Sequence, residues 1–166
     1  RGHTTAEYIN IIHRLKQARP DISISSDFIV GFPGETESDF EQLLGFLDEA
    51  QLDRVGCFAY SPVEGATANA LPNQIDEDVK QQRLEFFMGK QAAISANKLQ
   101  QRVGKNYQVI VDGISDDGHA LARSKAEAPE VDGWVIIKNQ DKLVSGEFVN
   151  VKITAADEHD LWAALV

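Results

Sequence analysis

Ser26-Asp27-Phe28-Ile29-Val30-Gly31-Phe32-Pro33-Gly34-Glu35-Thr36 is the stretch that decides how this chain is read. An apolar, β-prone run, Phe28 to Val30, leads directly into Gly31 and Gly34. These two residues let a backbone turn sharply or let another group approach it closely. A helix follows at once, with Thr36 as its N-cap and Asp39 three positions on as the returning carboxylate of a capping box. Strand, glycine turn and helix are thus written in succession, and open α/β folds bind ligands at such strand ends. The same junction also serves in many α/β proteins only to turn the chain, so the residues leave both readings open.

The flanking sequence extends the pattern. Thr4-Thr5-Ala6-Glu7 is a capping box ahead of Tyr8, Ile9, Ile11, Ile12 and Leu15, an amphipathic helix that Arg19-Pro20 ends. His13 on it has no partner at i±4 and reads as a surface residue rather than a ligand. Ile22 to Ser25 alternates and then becomes continuously apolar, which predicts a strand in a sheet covered on both faces. Asp27 interrupts that run, and serves either a polar ligand or a strand-end hydrogen bond. A second helix over about Glu37 to Gln51 carries Phe40, Leu43, Leu44, Leu47 and Ala50 on one stripe. Arg54 to Tyr60 is the next strand. Strand, helix and strand in about 40 residues form a βαβ unit and a parallel sheet. Tyr60-Ser61-Pro62-Val63-Glu64-Gly65 then bends the chain on the same rim as Gly31 to Glu35, giving one lip of a pocket. Cys57 reads as a small buried hydrophobe within the strand.

A long helix opens at Ile75-Asp76-Glu77-Asp78, its acidic first turn suited to the macrodipole. Val79, Phe86 and Ala93, with Phe87 and Ile94 beside them, predict its core face, and Gly104 is its expected stop. The domain boundary falls in its last turns, dividing the chain into residues 1–96 and 97–166. Beyond it the period becomes alternating. Tyr107–Ile114, His119–Arg123, Trp134–Lys138, Glu147–Thr154 and Asp160–Val166 are five short strands divided by Asp116-Asp117-Gly118, Asp132-Gly133 and Ser145-Gly146. They predict a small five-stranded antiparallel β-barrel of the oligonucleotide-binding kind.

Composition narrows the function. The net charge of −10 argues against a chain that coats nucleic acid, and a protein or small-molecule partner fits better. From Lys98 to Val166 there are 11 acidic and 8 basic residues, a net of −3 where an RNA-gripping barrel should be basic. The single cysteine excludes a disulfide framework and a cysteine-rich metal site made by this chain alone, and suits a reducing compartment. No apolar stretch approaches the ~18 residues of a membrane span. An opening at Arg1-Gly2-His3 without an initiator Met is expected of a piece of something longer.

The run Asp27-x-Ile29-x-Gly31-Phe32-Pro33-Gly34-Glu35-Thr36 resembles the fifth-strand motif of radical S-adenosylmethionine (SAM) enzymes, in the form found in the methylthiotransferases. The five-strand region resembles the TRAM domain that closes those enzymes. Ala128-Pro129-Glu130-Val131-Asp132-Gly133 and Ala156 to Trp162 are similar to the branch that modifies an aspartate β-carbon of a basic small-subunit ribosomal protein. The resemblance implies the last part of a partial (α/β) barrel followed by a TRAM domain. It implies SAM as cofactor, held in part by Asp27, Ile29, Gly31, Phe58, Tyr60 and Ser61. It also implies two 4Fe-4S clusters whose cysteines lie outside this chain, so that the chain holds no metal ligand or catalytic residue and is inactive alone. The expected partner is the basic ribosomal protein, steered by negative charge. Arg123 and Trp162 are the candidate docking contacts, although Trp162 also reads as a core residue. RNA, the usual TRAM ligand, is the weaker partner here. The intact enzyme is expected to be a cytoplasmic monomer with no membrane role. Two other readings stand beside this one. The tRNA-modifying branch continues Tyr-Ser-Pro with Arg-Pro-Gly, where this chain has Val63-Glu64-Gly65. A non-catalytic RNA-binding module would leave the glycine turn unexplained.

Overall fold

The computed structural model describes residues 3–129 and 131–166. Arg1, Gly2 and Glu130, which enter the motifs quoted above, lie outside the described residues. The chain divides into two compact units, residues 1–94 and 95–166.

In the first unit the order is α1 (Thr5–Ala18), β1 (Ser25–Val30), α2 (Glu37–Ala50), β2 (Arg54–Ala59), a 3₁₀ turn (Thr67–Ala70) and most of α3 (Glu77–Gln100). Both anticipated capping boxes form: the Thr4 and Thr36 hydroxyls accept from the Glu7 and Asp39 amides, and those carboxylates accept from the cap amides in return. Each satisfies two amides that the first helical turn leaves without partners. β1 and β2 pair in parallel, Ser25 to Val30 against Arg54 to Ala59. One face of this sheet is covered. Phe28, Val55 and Cys57 pack with Val30, Phe40, Leu47, Phe87 and Ile94, and a second cluster joins Ile9, Ile12, Ala50 and Leu52. Removing such side chains from water contributes roughly 1.5–3 kcal/mol each.

The opposite face corrects the expectation of a sheet covered on both sides. Ile29 is 57% and Phe58 60% exposed. A continuous apolar run reports only that both faces avoid water in some state; it does not show that the cover lies in the same stretch of chain. The face of α3 is corrected in part: Phe87 and Ile94 are buried as expected, but Phe86 and Ala93 are not. Phe86 is 71% exposed, and the buried line runs through Lys80, Arg83, Phe87, Gln91 and Ile94. Hydrophobic periodicity missed it because three of those five residues are polar.

The second unit holds the end of α3 and five strands: β3 (Asn106–Ile114), β4 (Ala120–Arg123), β5 (Val135–Ile137), β6 (Phe148–Ala156) and β7 (Leu161–Leu165). They close into a barrel in the order β3-β4-β5-β7-β6, β6 pairing back onto β3. All five strands were legible from alternation, but the barrel is mixed: β5 and β7 run parallel, from Val135 against Leu161 to Ile137 against Ala163. That pairing follows from the connectivity, since β6 is antiparallel to both β3 and β7 and β7 closes the gap beside β5. Register shifts between Val111 and Gly113 and between Ile153 and Ala155 bend the two long strands around the ring. Inward residues Val109, Val111, Ala120, Ala122, Val135, Ile137, Val151, Ile153, Leu161 and Ala163 fill it, with Leu99 of α3.

Candidate functional site

The parallel register assembles the first-unit site. Asp27 lies opposite Gly56 and Ile29 opposite Phe58, which places these residues on the uncovered face. A Cβ built on Gly56 would meet Asp27 Oδ1 at 2.4 Å and Phe58 Cε2 at 3.6 Å, so the carboxylate and the ring share the space above that glycine. The result is an apolar platform of Ile29 and Phe58 with one carboxylate at its border. It is the chemistry a flat, partly polar ring system requires.

The rim beside it is tightly built. Gly31 is buried with φ +72°, a conformation that costs an L side chain free energy, and a Cβ there would also stand 2.4 Å from Lys80 Cγ. The Gly31 N–H donates to Glu35 Oε1 at 2.9 Å, and the Gly34 N–H to the Asn73 carbonyl at 2.9 Å. Tyr60 continues β2 by donating its N–H to the Val30 carbonyl at 2.9 Å. Its ring meets Phe32 edge-on at 5.1 Å, and its hydroxyl lies 3.2 Å from Asn69 Oδ1. Ser61 is exposed just beyond it. Of the six sequence-nominated residues, Asp27, Ile29 and Phe58 therefore share the platform, Gly31 and Tyr60 form the rim, and Ser61 stands in the loop. Cys57 packs beneath, on the covered face; burial, with the Glu35 charge adding to it, pushes its thiol up to about 11.

Two residues that the sequence did not single out complete the rim. Lys80 and Arg83 of α3 are both buried. Lys80 Nζ sits 5.6 Å from the Tyr60 ring centre and 3.1 Å from Glu77 Oε2. Arg83 pairs with Glu35 at 2.6 Å and Glu37 at 3.1 Å, over the Phe40 ring. The available signal was two cations, three apart, in register with Phe87.

In the second unit, Arg123 pairs with Asp112 at 3.0 Å and borders a groove of about 560 Å³ lined by Asn106, Gln108, Ile110, Lys125 and the exposed Phe148, among others. The register explains this: Ile110 has Arg123 on one side and Phe148 on the other. Trp162 is half-buried between Ile136 and Ala155, on the outer face, since its neighbours Leu161 and Ala163 point inward. It is neither a core residue nor a fully exposed anchor. One wall is fixed by Glu127, whose buried carboxyl would be raised by burial alone but is held below its ordinary range by Arg102 and Ser124. Among the described residues no group of three or more His, Cys, Asp and Glu is placed to hold a metal ion, and no helix is long and apolar enough to cross a membrane.

Comparison with known proteins places these features. Residues 103–166 match the TRAM domain family. Over 156 residues, 92% of this chain is 57% identical to the ribosomal protein uS12 methylthiotransferase RimO of Chromobacterium violaceum, and covers 36% of that protein. The chain matches a carboxyl-terminal piece of RimO. RimO of Stenotrophomonas maltophilia strain K279a is 60% identical over 153 residues, 91% of this chain and 34% of its own length. RimO of Cronobacter sakazakii is 55% identical over 156 residues, 92% and 35% respectively. The chain thus spans about a third of the length of the RimO relatives it matches. Among solved structures, the apo form of Mycoplasma genitalium RNase R overlaps 60% of this chain and 19% of its own, at a TM-score of 0.32 and 13% identity, too little to carry an argument.

Proposed function

We propose that this RimO segment supplies part of the SAM pocket and the substrate-docking barrel of a radical SAM methylthiotransferase acting on the β-carbon of an aspartate in a small-subunit ribosomal protein. The observation that carries the reading is the bare platform. Ile29 and Phe58 lie open on one face of a sheet whose other face is covered by packed side chains, directly beside a glycine turn. These residues fit an adenine: a flat apolar surface of Ile29 and Phe58, with the Asp27 carboxylate over Gly56 as a polar border. SAM and two 4Fe-4S clusters, the latter held by cysteines outside this chain, would supply the radical and the sulfur. The chain's own residues bind and orient. Ile29 and Phe58 exclude water from one side of the nucleoside, the Gly31 turn and Tyr60 set the pocket's rim, and Ser61 offers a hydroxyl at its mouth. The chain alone carries out no turnover.

The acidic barrel would draw in a basic protein from a distance, an effect that weakens as salt screens it, and Trp162 adds an outward aromatic contact. A second reading has its own support. The described lining of the Arg123 groove includes two cations, Arg123 (paired with Asp112) and Lys125, beside the exposed ring of Phe148, which suits a single-stranded RNA contact. Titrating the chain with the basic ribosomal protein and with tRNA across a salt series separates the two. Tighter binding of the protein sustains the docking reading, and tighter binding of tRNA overturns it in favour of the tRNA-modifying branch. Equilibrium binding of SAM, lost in Phe58→Ala, tests the pocket.

A further inference from the structure

Lys80 and Arg83 keep only 7% and 8% of their side chains exposed, which is unusual for cations and needs a reason. We propose that Arg83 is a positioning residue for the SAM-binding turn, with Lys80 holding the other rim segment; this rests on the SAM reading above. One carboxylate oxygen carries the argument. Glu35 Oε1 accepts both from the Gly31 N–H at 2.9 Å and from Arg83 Nη1 at 2.6 Å. Arg83 Nη1 also lies 3.3 Å from the Glu35 carbonyl, and Nη2 reaches Glu37 Oε2 at 3.1 Å. The guanidinium therefore fixes both the backbone and the side chain of Glu35, and Glu35 fixes Gly31, two residues after the platform residue Ile29.

One helical turn earlier, the Lys80 stem occupies the space above Gly31 where a Cβ would stand, and its ammonium faces the Tyr60 ring. Two side chains three residues apart on α3 thus grip the two rim segments, Gly31–Glu35 and Tyr60. An apolar pair of the same size would seal this core at least as well, because burying an ion pair costs about as much in desolvation as it returns. What a forked donor provides and a hydrocarbon does not is direction: it specifies where one oxygen sits.

The test uses the intact methylthiotransferase carrying Arg83→Met, Arg83→Lys and Phe58→Ala. SAM binding is measured at equilibrium, with hydrogen exchange of the Gly31 amide in the SAM-free protein as the second readout. Arg83→Met is expected to raise the SAM dissociation constant about tenfold and to speed Gly31 exchange, with Arg83→Lys recovering part of both. Arg83→Gln, which retains a donor, replaces Arg83→Met if that variant does not fold. Unchanged SAM affinity in a folded Arg83 variant overturns the proposal, as does weakened affinity with Gly31 exchange unaltered. Phe58→Ala separates the two levels. If it too leaves SAM binding intact, the pocket reading fails; if it weakens binding and the Arg83 variants do not, only the positioning role fails.

Discussion

Each barrel strand has a hydrogen-bonded neighbour on both sides, and its inward residues meet one another across the ring. β1 and β2, among the described residues, pair only with each other and show one face to solvent. The second unit therefore draws its cohesion from within, while the first is packed on one side only and leaves Ile29 and Phe58 bare. Chemistry and stability are segregated accordingly. In the barrel an apolar residue is inside because the fold needs it there. On the platform, Ile29 and Phe58 are apolar with no cover among the described residues, and that disparity is the strongest pointer to a ligand.

Mutations can break or sharpen this contrast. The largest loss is expected in the barrel core: Leu161→Ala, at 1% exposure, should cost about 3 kcal/mol in urea unfolding, and a loss under ~1 kcal/mol would mean the ring is not densely packed. Next comes the turn. Gly31→Ala should cost about 2 kcal/mol, because it combines a positive φ with the collision against Lys80. Gly34→Ala, with φ +88° and open space around it, should cost about 1 kcal/mol. Equal losses in thermal unfolding would remove Lys80 from the account.

Glu127→Gln should cost about 1.5 kcal/mol at neutral pH. Its sign with pH follows from the lowered carboxyl: the native group titrates below its unfolded counterpart, so its contribution is present above the unfolded value and lost as pH falls through the folded one. The variant should lack that acid-side decline, and an unchanged pH profile would show that the pairs with Arg102 and Ser124 contribute nothing. The smallest effect belongs to the platform. Phe58→Ser should alter stability by less than ~0.5 kcal/mol, and a loss like that of Leu161→Ala would mean the face is covered after all.

Much of this architecture was legible in the residues because local chemistry and tertiary role agree there. Thr4 with Glu7, and Thr36 with Asp39, cap helices wherever they occur, and the five alternating strands needed only a ring to face. The errors have a common physical origin. The continuous apolar run at Phe28 to Val30 implied cover on both faces, because a sequence records which positions avoid water and not what shields them. The Val79-Phe86-Ala93 stripe set the face of α3 one position off, with Phe87 and Ile94 beside it buried as expected, because Lys80, Arg83 and Gln91 lie buried and a pattern built on hydrophobicity assigns such residues to solvent. Asp27, ambiguous on paper, acquired a place only when the parallel register set it over Gly56. The parallel pairing of β5 with β7 joins strands distant in sequence, and no neighbouring residue announces it.

Cys57 turns the packing beneath the platform into a clock. It is the only thiol of this chain, it sits half-buried on the covered side of β2, and its elevated pKa leaves little of the reactive thiolate while the sheet stays intact. An alkylating reagent at mildly alkaline pH is therefore expected to modify it more slowly than the free amino acid, and faster whenever β2 lifts from its helices. One labelling curve, taken with and without a nucleoside, would time the breathing of the sheet and show whether an occupant of the opposite face slows it.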